Sequence, residues 1–206
     1  MSKVSEYLNR KKSESGSDLV SEWVVIEELY NKRLYHQLTQ HLIQFVQLPQ
    51  LQSDRQLVEL YEQFISHLEN KINPLSLVEI VAFVVKQIED EDETLKFLEN
   101  VQNKVKVNSD AQNLCKVLVA QIHLASMKDL KKVKKLIEEI EETLDEADGV
   151  TKVHGCFYVL ASSYYRLTFN HADYYRTALR YLGCIDLNTL SAEEQHKKAF
   201  FLCLAA

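Results

Sequence analysis

From Asp18 onward, apolar positions return every three or four residues almost without interruption. Leu19, Trp23, Ile26 and Tyr30 recur at four, three and four, which sets them on one face of a helix. Leu34, Leu38, Leu42 and Phe45 make the next stripe, and Pro49 helps to end that helix. Further stripes follow at Leu57, Tyr61, Phe64, Leu68, then at Leu75, Val78, Ala82, Val85, Ile88. The pattern continues through Leu95, Leu98, Val101, Val105 and through Leu114, Leu118, Ile122, Ala125. Leu130, Val133, Ile137, Ile140, Leu144 and Ala147 alternate three and four. That run is shorter than three heptads, so it predicts a face packed on the preceding helix rather than a coiled-coil seam. Residues 1–17 differ. They hold one short apolar pattern (Val4, Tyr7, Leu8) before a Ser-rich stretch, and they read as a polar, frayed N-terminal extension.

Start signals divide the periodic text into separate helices. Ser53-x-x-Gln56, Asp90-x-x-Glu93, Ser109-x-x-Gln112 and Ser191-x-x-Glu194 have the spacing of capping residues. Asn73-Pro74 joins a good N-cap to a proline at the first helical position. Asp129, Thr151 and Asn170 open three more helices, and Gly149 and Gly183 fall near helix ends. Starts that open a helix pair fall at 73, 109, 151 and 191, a period of about 40 residues that marks an α-solenoid. The expected fold is therefore all-α: a right-handed superhelix of antiparallel helix pairs over residues 18–206. One pair is TPR-like. Phe157, Leu160, Ala161, Tyr164 and Ala178 occupy the signature positions, although the connection reads about five residues too long for a strict repeat.

Composition narrows the reading. Only 4 Gly and 2 Pro occur in 206 residues, against roughly 12% in an average protein. Sandwiches, barrels and doubly wound sheets need more turn residues than that. The net charge is −6, and the one compact basic cluster near a terminus, Arg10-Lys11-Lys12, is weak evidence for nucleic-acid binding. No apolar run nears the roughly 18 residues of a membrane span, and no secretory h-region is visible. The expected partners are thus neither nucleic acid nor membrane. Four Cys lie at 115, 156, 184 and 203 without a CxxC, which predicts reduced, partly buried thiols.

Candidate chemistry is sparse. His154, Cys156, His171, Asp173 and Cys184 offer zinc donors, but their spacing lacks the short pairs of a structural site. His154 and Cys156 also point about 200° apart on a helix. No GxSxG, Walker loop or GxGxxG is present. The chain is expected to have no catalytic residues, cofactor, metal or small-molecule substrate. The 128–148 segment carries Lys at its start and seven acids in 138–148, opposite to the order the helix dipole favours. It reads as a solvated outer face, with a bipolar docking ridge as the sharper alternative.

Several stretches carry a resemblance: LYHQLT (34–39), LYEQFIS (60–66), NPLSLVEI (73–80), GVTKVHGCFY (149–158) and NHADYYRTALRYLGCIDL (170–187). From about residue 18 to the end the chain resembles the PCI-domain subunits of the proteasome regulatory particle lid. The resemblance implies a non-catalytic scaffold of cytoplasm and nucleus, with other lid subunits as partners. It also implies a winged-helix module after the repeats, which this text lacks, so the chain reads as a fragment cut inside the array. Phe200, Phe201, Leu202 and Leu204 would then lose their cover and form a partner-contact or self-association surface. A PCI-type subunit of the signalosome or of a translation initiation factor, and a free TPR-like peptide-binding adaptor, remain as alternatives.

Overall fold

The computed structural model describes residues 3–14, 16–127, 129–147, 149–187 and 190–206. Those residues form eleven α-helices, short 3-10 turns and no strand, the all-α class that the periodicity predicts. By contacts the chain divides into two units, Met1–Ala111 and Gln112–Ala206.

The first unit contains α1 (Lys3–Glu14), α2 (Ser17–Asn31), α3 (Tyr35–Phe45), α4 (Gln56–Gln63), α5 (Pro74–Val84) and α6 (Glu91–Lys104). The frayed extension expected at the N-terminus is instead a helix over residues 3–14; residues 1, 2 and 15 lie outside the described ones. Its Val4, Tyr7 and Leu8 sit at i, i+3 and i+4 and are buried. Tyr7 stands edge-on to Trp23 at 6.0 Å, and Trp23 stands edge-on to Phe45 at 4.8 Å. This row ties α1 to α2 and α3, each ring pair adding about 0.5–1.5 kcal/mol beyond its area. Burial pushes the Tyr7 hydroxyl well above the usual tyrosine range. The basic cluster is consumed within the unit: Arg10 and Lys11 both reach Glu59 of α4, and Lys12 reaches Glu27 of α2 at 2.6 Å. The polar composition of the tail hid an amphipathic turn whose cations already have carboxylates.

The predicted caps hold where one residue can serve its own helix. Asn73 accepts from the Leu75 and Ser76 amides, and Asp90 accepts from the Glu93 amide. The Ser53 box does not form. Arg55, at φ 55°, precedes α4 with no side-chain cap. Its role falls to Gln87, thirty residues away in sequence. The Gln87 amide oxygen accepts from Leu57 N at 2.8 Å, and its nitrogen donates to Leu51 O at 2.5 Å. The cap of α7 is one residue earlier than predicted: Asn108 accepts from Ala111 N at 2.8 Å. In α5 the buried face is Leu77, Val78, Ile80, Val81 and Val84, rotated from the predicted stripe. A helix that is apolar nearly all round gives periodicity little to select on.

Beyond α7 (Ser109–Ser126), the second unit runs through α8 (Leu130–Asp145), α9 (Lys152–Leu167), α10 (His171–Cys184) and α11 (Ala192–Ala205). Asp129, Asn170 and Ser191 cap as predicted, accepting from the amides of Lys132, Asp173 and Glu194. Val133, Ile137, Ile140 and Leu144 of α8 are buried, and α8 packs on α9. The seam is therefore internal, but its main contact is with the following helix α9 and not with the preceding one as expected. α9 and α10 make the most extensive helix–helix contact among the described residues. Their connection is only residues 168–170, turned by Phe169 at φ 57°. The length expected in the loop is taken up as extra helix. A connection this short fixes the two helices antiparallel. Phe157, Leu160, Ala161, Tyr164 and Ala178, the TPR-like positions, are all buried.

Leu8, fully buried, tests the docking of α1. Leu8→Ala is expected to destabilise the first unit by about 2–5 kcal/mol in chemical denaturation. Removing residues 1–14 is expected to red-shift the emission of Trp23, the one tryptophan. An unshifted spectrum would mean that α1 does not cover the ring.

Candidate protein-interaction surface

The donors that resemble a metal site have structural roles. His154 lies in the first turn of α9, where Nδ1 accepts from Thr151 N at 3.0 Å. That makes it the cap partner of Thr151. Cys156 is exposed. His171 is the exposed first residue of α10. Asp173 in the same turn accepts from Asn170 Nδ2 at 2.7 Å. Cys184 closes α10 and lies beside Gly155, whose added Cβ would sit 4.0 Å from the cysteine Cβ. Among the described residues no group of three or more His, Cys, Asp or Glu could hold a metal ion.

Spacing predicts one broad apolar face on α10 from two parallel rows, Tyr174, Ala178, Tyr181 and Tyr175, Leu179, Leu182, and its exterior departs from that. Tyr174, Thr177 and Ala178 are buried. The parallel row is not: Tyr175 is 38% and Leu179 46% exposed. A helix between α9 on one side and α11 on another cannot bury two full rows. Arg176 and Arg180 stand outward beside that row, with Arg180 within 3.5 Å of Glu141 on α8.

α11 has no buried residue. Phe200 and Leu204, one turn apart, are 60% and 64% exposed. Phe201 and Leu202 are half-buried, and the Arg166 guanidinium of α9 lies over the Phe201 ring at 4.9 Å. The four residues expected to act together therefore divide: Phe200 and Leu204 present an outward apolar pair, while Phe201 turns toward α9. Two large apolar side chains at i and i+4 on the exposed side of a helix are the kind of feature that serves as a protein-contact anchor.

α8 offers less. Glu139 pairs with Lys116 at 3.5 Å and with Lys135 at 3.8 Å, and Glu138 pairs with Lys134 at 3.7 Å. Such exposed pairs contribute a few tenths of a kcal/mol each. With Glu141 engaged by Arg180 as well, Glu138, Glu139 and Glu141 each have a cation partner within the unit. Lys128 and Asp148, the ends of the expected ridge, lie outside the described residues.

Sequence reasoning missed the cations that gather beside Phe201. Arg166 ends α9, and Lys197 and Lys198 lie in α11. Nothing in local periodicity signals that residues thirty apart line one cleft.

The thiols give a direct check of burial. Burial pushes the Cys115 thiol up to about 12, which leaves almost no thiolate near neutral pH. Cys156 and Cys203 are exposed and Cys184 intermediate. With a thiol-specific chromogenic reagent at about pH 8, Cys156 and Cys203 are expected to react first. Cys115 is expected to react only after denaturation; prompt reaction in the folded protein would contradict its burial.

The family model described as PSD13 N-terminal repeats matches residues 22–206. The chain is 37% identical over 184 residues to 26S proteasome non-ATPase regulatory subunit 13 of Dictyostelium discoideum, covering 88% of this chain and 48% of that protein. It is 30% identical over 193 residues to homolog A of that subunit in Arabidopsis thaliana, covering 91% and 50%. It is also 30% identical over 206 residues to the probable 26S proteasome regulatory subunit rpn9 of Schizosaccharomyces pombe, covering 98% and 53%. The chain thus spans about half the length of the curated relatives it matches. With a helical-repeat fold, a TPR-like pair at α9–α10 and a family match across nearly all of its helices, the chain belongs to the PSD13 N-terminal repeat family.

Proposed function

We propose that this chain is the helical-repeat portion of a non-catalytic structural subunit of the proteasome regulatory particle lid. It acts in ubiquitin-dependent protein degradation by holding neighbouring subunits through protein–protein contacts. The observation that carries this reading is the family match over residues 22–206, together with relatives named as non-ATPase regulatory subunits of the 26S proteasome. The outward Phe200–Leu204 pair supports it, because an exposed apolar anchor on a repeat helix suits an assembly contact. Its partners on this reading are other lid subunits, in cytoplasm and nucleus. No helix among the described residues is long and apolar enough to cross a membrane. In isolation the same apolar pair favours self-association at high concentration.

Affinity purification of the tagged intact protein with quantitative mass spectrometry tests the proposal. Proteasome regulatory subunits are expected in stoichiometric amounts. Phe200→Asp combined with Leu204→Asp is expected to lower their recovery about tenfold, an effect on the order of 1.4 kcal/mol. Circular dichroism should change little, since both side chains face outward. Recovery of signalosome or initiation-factor subunits in place of proteasome subunits would overturn the reading.

A further inference from the structure

α9, α10 and α11 enclose a cleft whose charge is at odds with the acidic chain. Arg166, Lys197 and Lys198 line it, with Ser162, Ser163 and Glu194. None of the three cations makes an ion pair with a carboxylate of the described residues. Glu194, the one acid lining the cleft, is engaged elsewhere: Oε2 accepts from Ser191 N at 3.0 Å and from Ser191 Oγ at 2.8 Å. Those bonds hold its carboxyl below the ordinary 4.5. A depressed folded-state value means that this cap contributes above pH about 4.5 and is lost as pH falls, so Glu194 stays committed at neutral pH. Burial pushes the Lys198 ammonium below the usual lysine range; Glu194 opposes this and Arg166 adds to it. The Lys198 ammonium lies 4.3 Å from the Tyr181 ring centre, and Arg166 lies over Phe201. Two of the three cations thus lie over aromatic faces, and Glu194, whose carboxyl is bonded to Ser191, is the one acid of the cleft that acts on Lys198.

The cleft also selects among anions. Phosphate sites at helix starts draw on free backbone amides. Here the amide of Tyr174 donates to Asn170 O and that of Glu194 to Ser191 Oγ, and the other lining residues lie within α9 and α11. Ser162 and Ser163 both donate to Val159 O, at 3.1 Å and 2.8 Å, which leaves their oxygens as acceptors. A peptide, which offers carboxylates and N–H donors together, fits this mixture of cations and acceptors. Tyr174 and Phe201 add apolar walls.

We propose that this cleft takes an acidic peptide segment of a partner protein, with Arg166, Lys197 and Lys198 meeting its carboxylates and Tyr174 and Phe201 flanking an apolar side chain. The inference rests on the scaffold reading only in taking a protein as the occupant. Fluorescence anisotropy of the intact protein with a fluorescein-labelled, Glu-rich peptide bearing a central Phe tests it, beside the same peptide with Gln for Glu. The Glu peptide is expected to bind about tenfold tighter or more. Lys197→Glu, at an exposed position, is expected to weaken it by a similar factor with unchanged circular dichroism, and Arg166→Lys to retain most of the binding. Equal affinity for the Gln peptide, indifference to Lys197→Glu, or full displacement by inorganic phosphate at matching affinity would each overturn the assignment. Loss of Glu-peptide preference with normal recovery of regulatory subunits removes the cleft and leaves the assembly reading. Peptide binding without recovery of those subunits does the reverse.

Discussion

Every helix here is too narrow to hide its own apolar stripe, so each depends on a neighbour for cover. In the first unit that dependence runs through the Tyr7–Trp23–Phe45 row and through Leu38, Leu42 and Leu57. In the second it runs through α8 on α9, α9 on α10, and α10 on α11. Small residues set how close the partners come. Ala161 and Ala178 are buried in the tightest pair, and Gly155 admits Cys184 beside α9. Stacking of this kind explains why the chain needs so few Gly and Pro, and why its polar residues concentrate at helix starts.

The same dependence explains where surfaces are left over. α11 covers one side of α10 and receives little cover itself, so Phe200 and Leu204 stay outward. Between its other side and α9 there is a cleft rather than a sealed seam. Two of the cations there, Arg166 and Lys198, lie over aromatic rings. Elsewhere the unit-internal pairing is more complete: Arg10, Lys11 and Lys12 have Glu59 and Glu27, and Arg180 has Glu141.

Much of the fold was legible in the sequence because its signals are local. Asn73, Asp90, Asp129, Asn170 and Ser191 each cap a helix within three residues of themselves, and the TPR-like positions all lie buried. What periodicity could not supply was contact between distant segments. Gln87 capping α4, Glu59 drawing α1 into place and Arg166 meeting Phe201 all join residues thirty or more apart. The α5 stripe was misplaced because an almost wholly apolar helix has no polar face to orient it. The outer row of α10 was misplaced for the opposite reason: Tyr175 and Leu179 look like core residues, but no described helix covers them fully. The candidate surface was half legible, since the apolar run 200–204 stood out while the division of its faces depended on where α9 lies.

Residue-resolved hydrogen exchange of the isolated chain tests the dependence on neighbours most directly. The account predicts that α9, with Phe157, Leu160 and Ala161 covered on its packed face, exchanges far more slowly than α11, which has no buried residue. Protection in α11 equal to that in α9 would contradict it, because helix stability would then owe little to stacking.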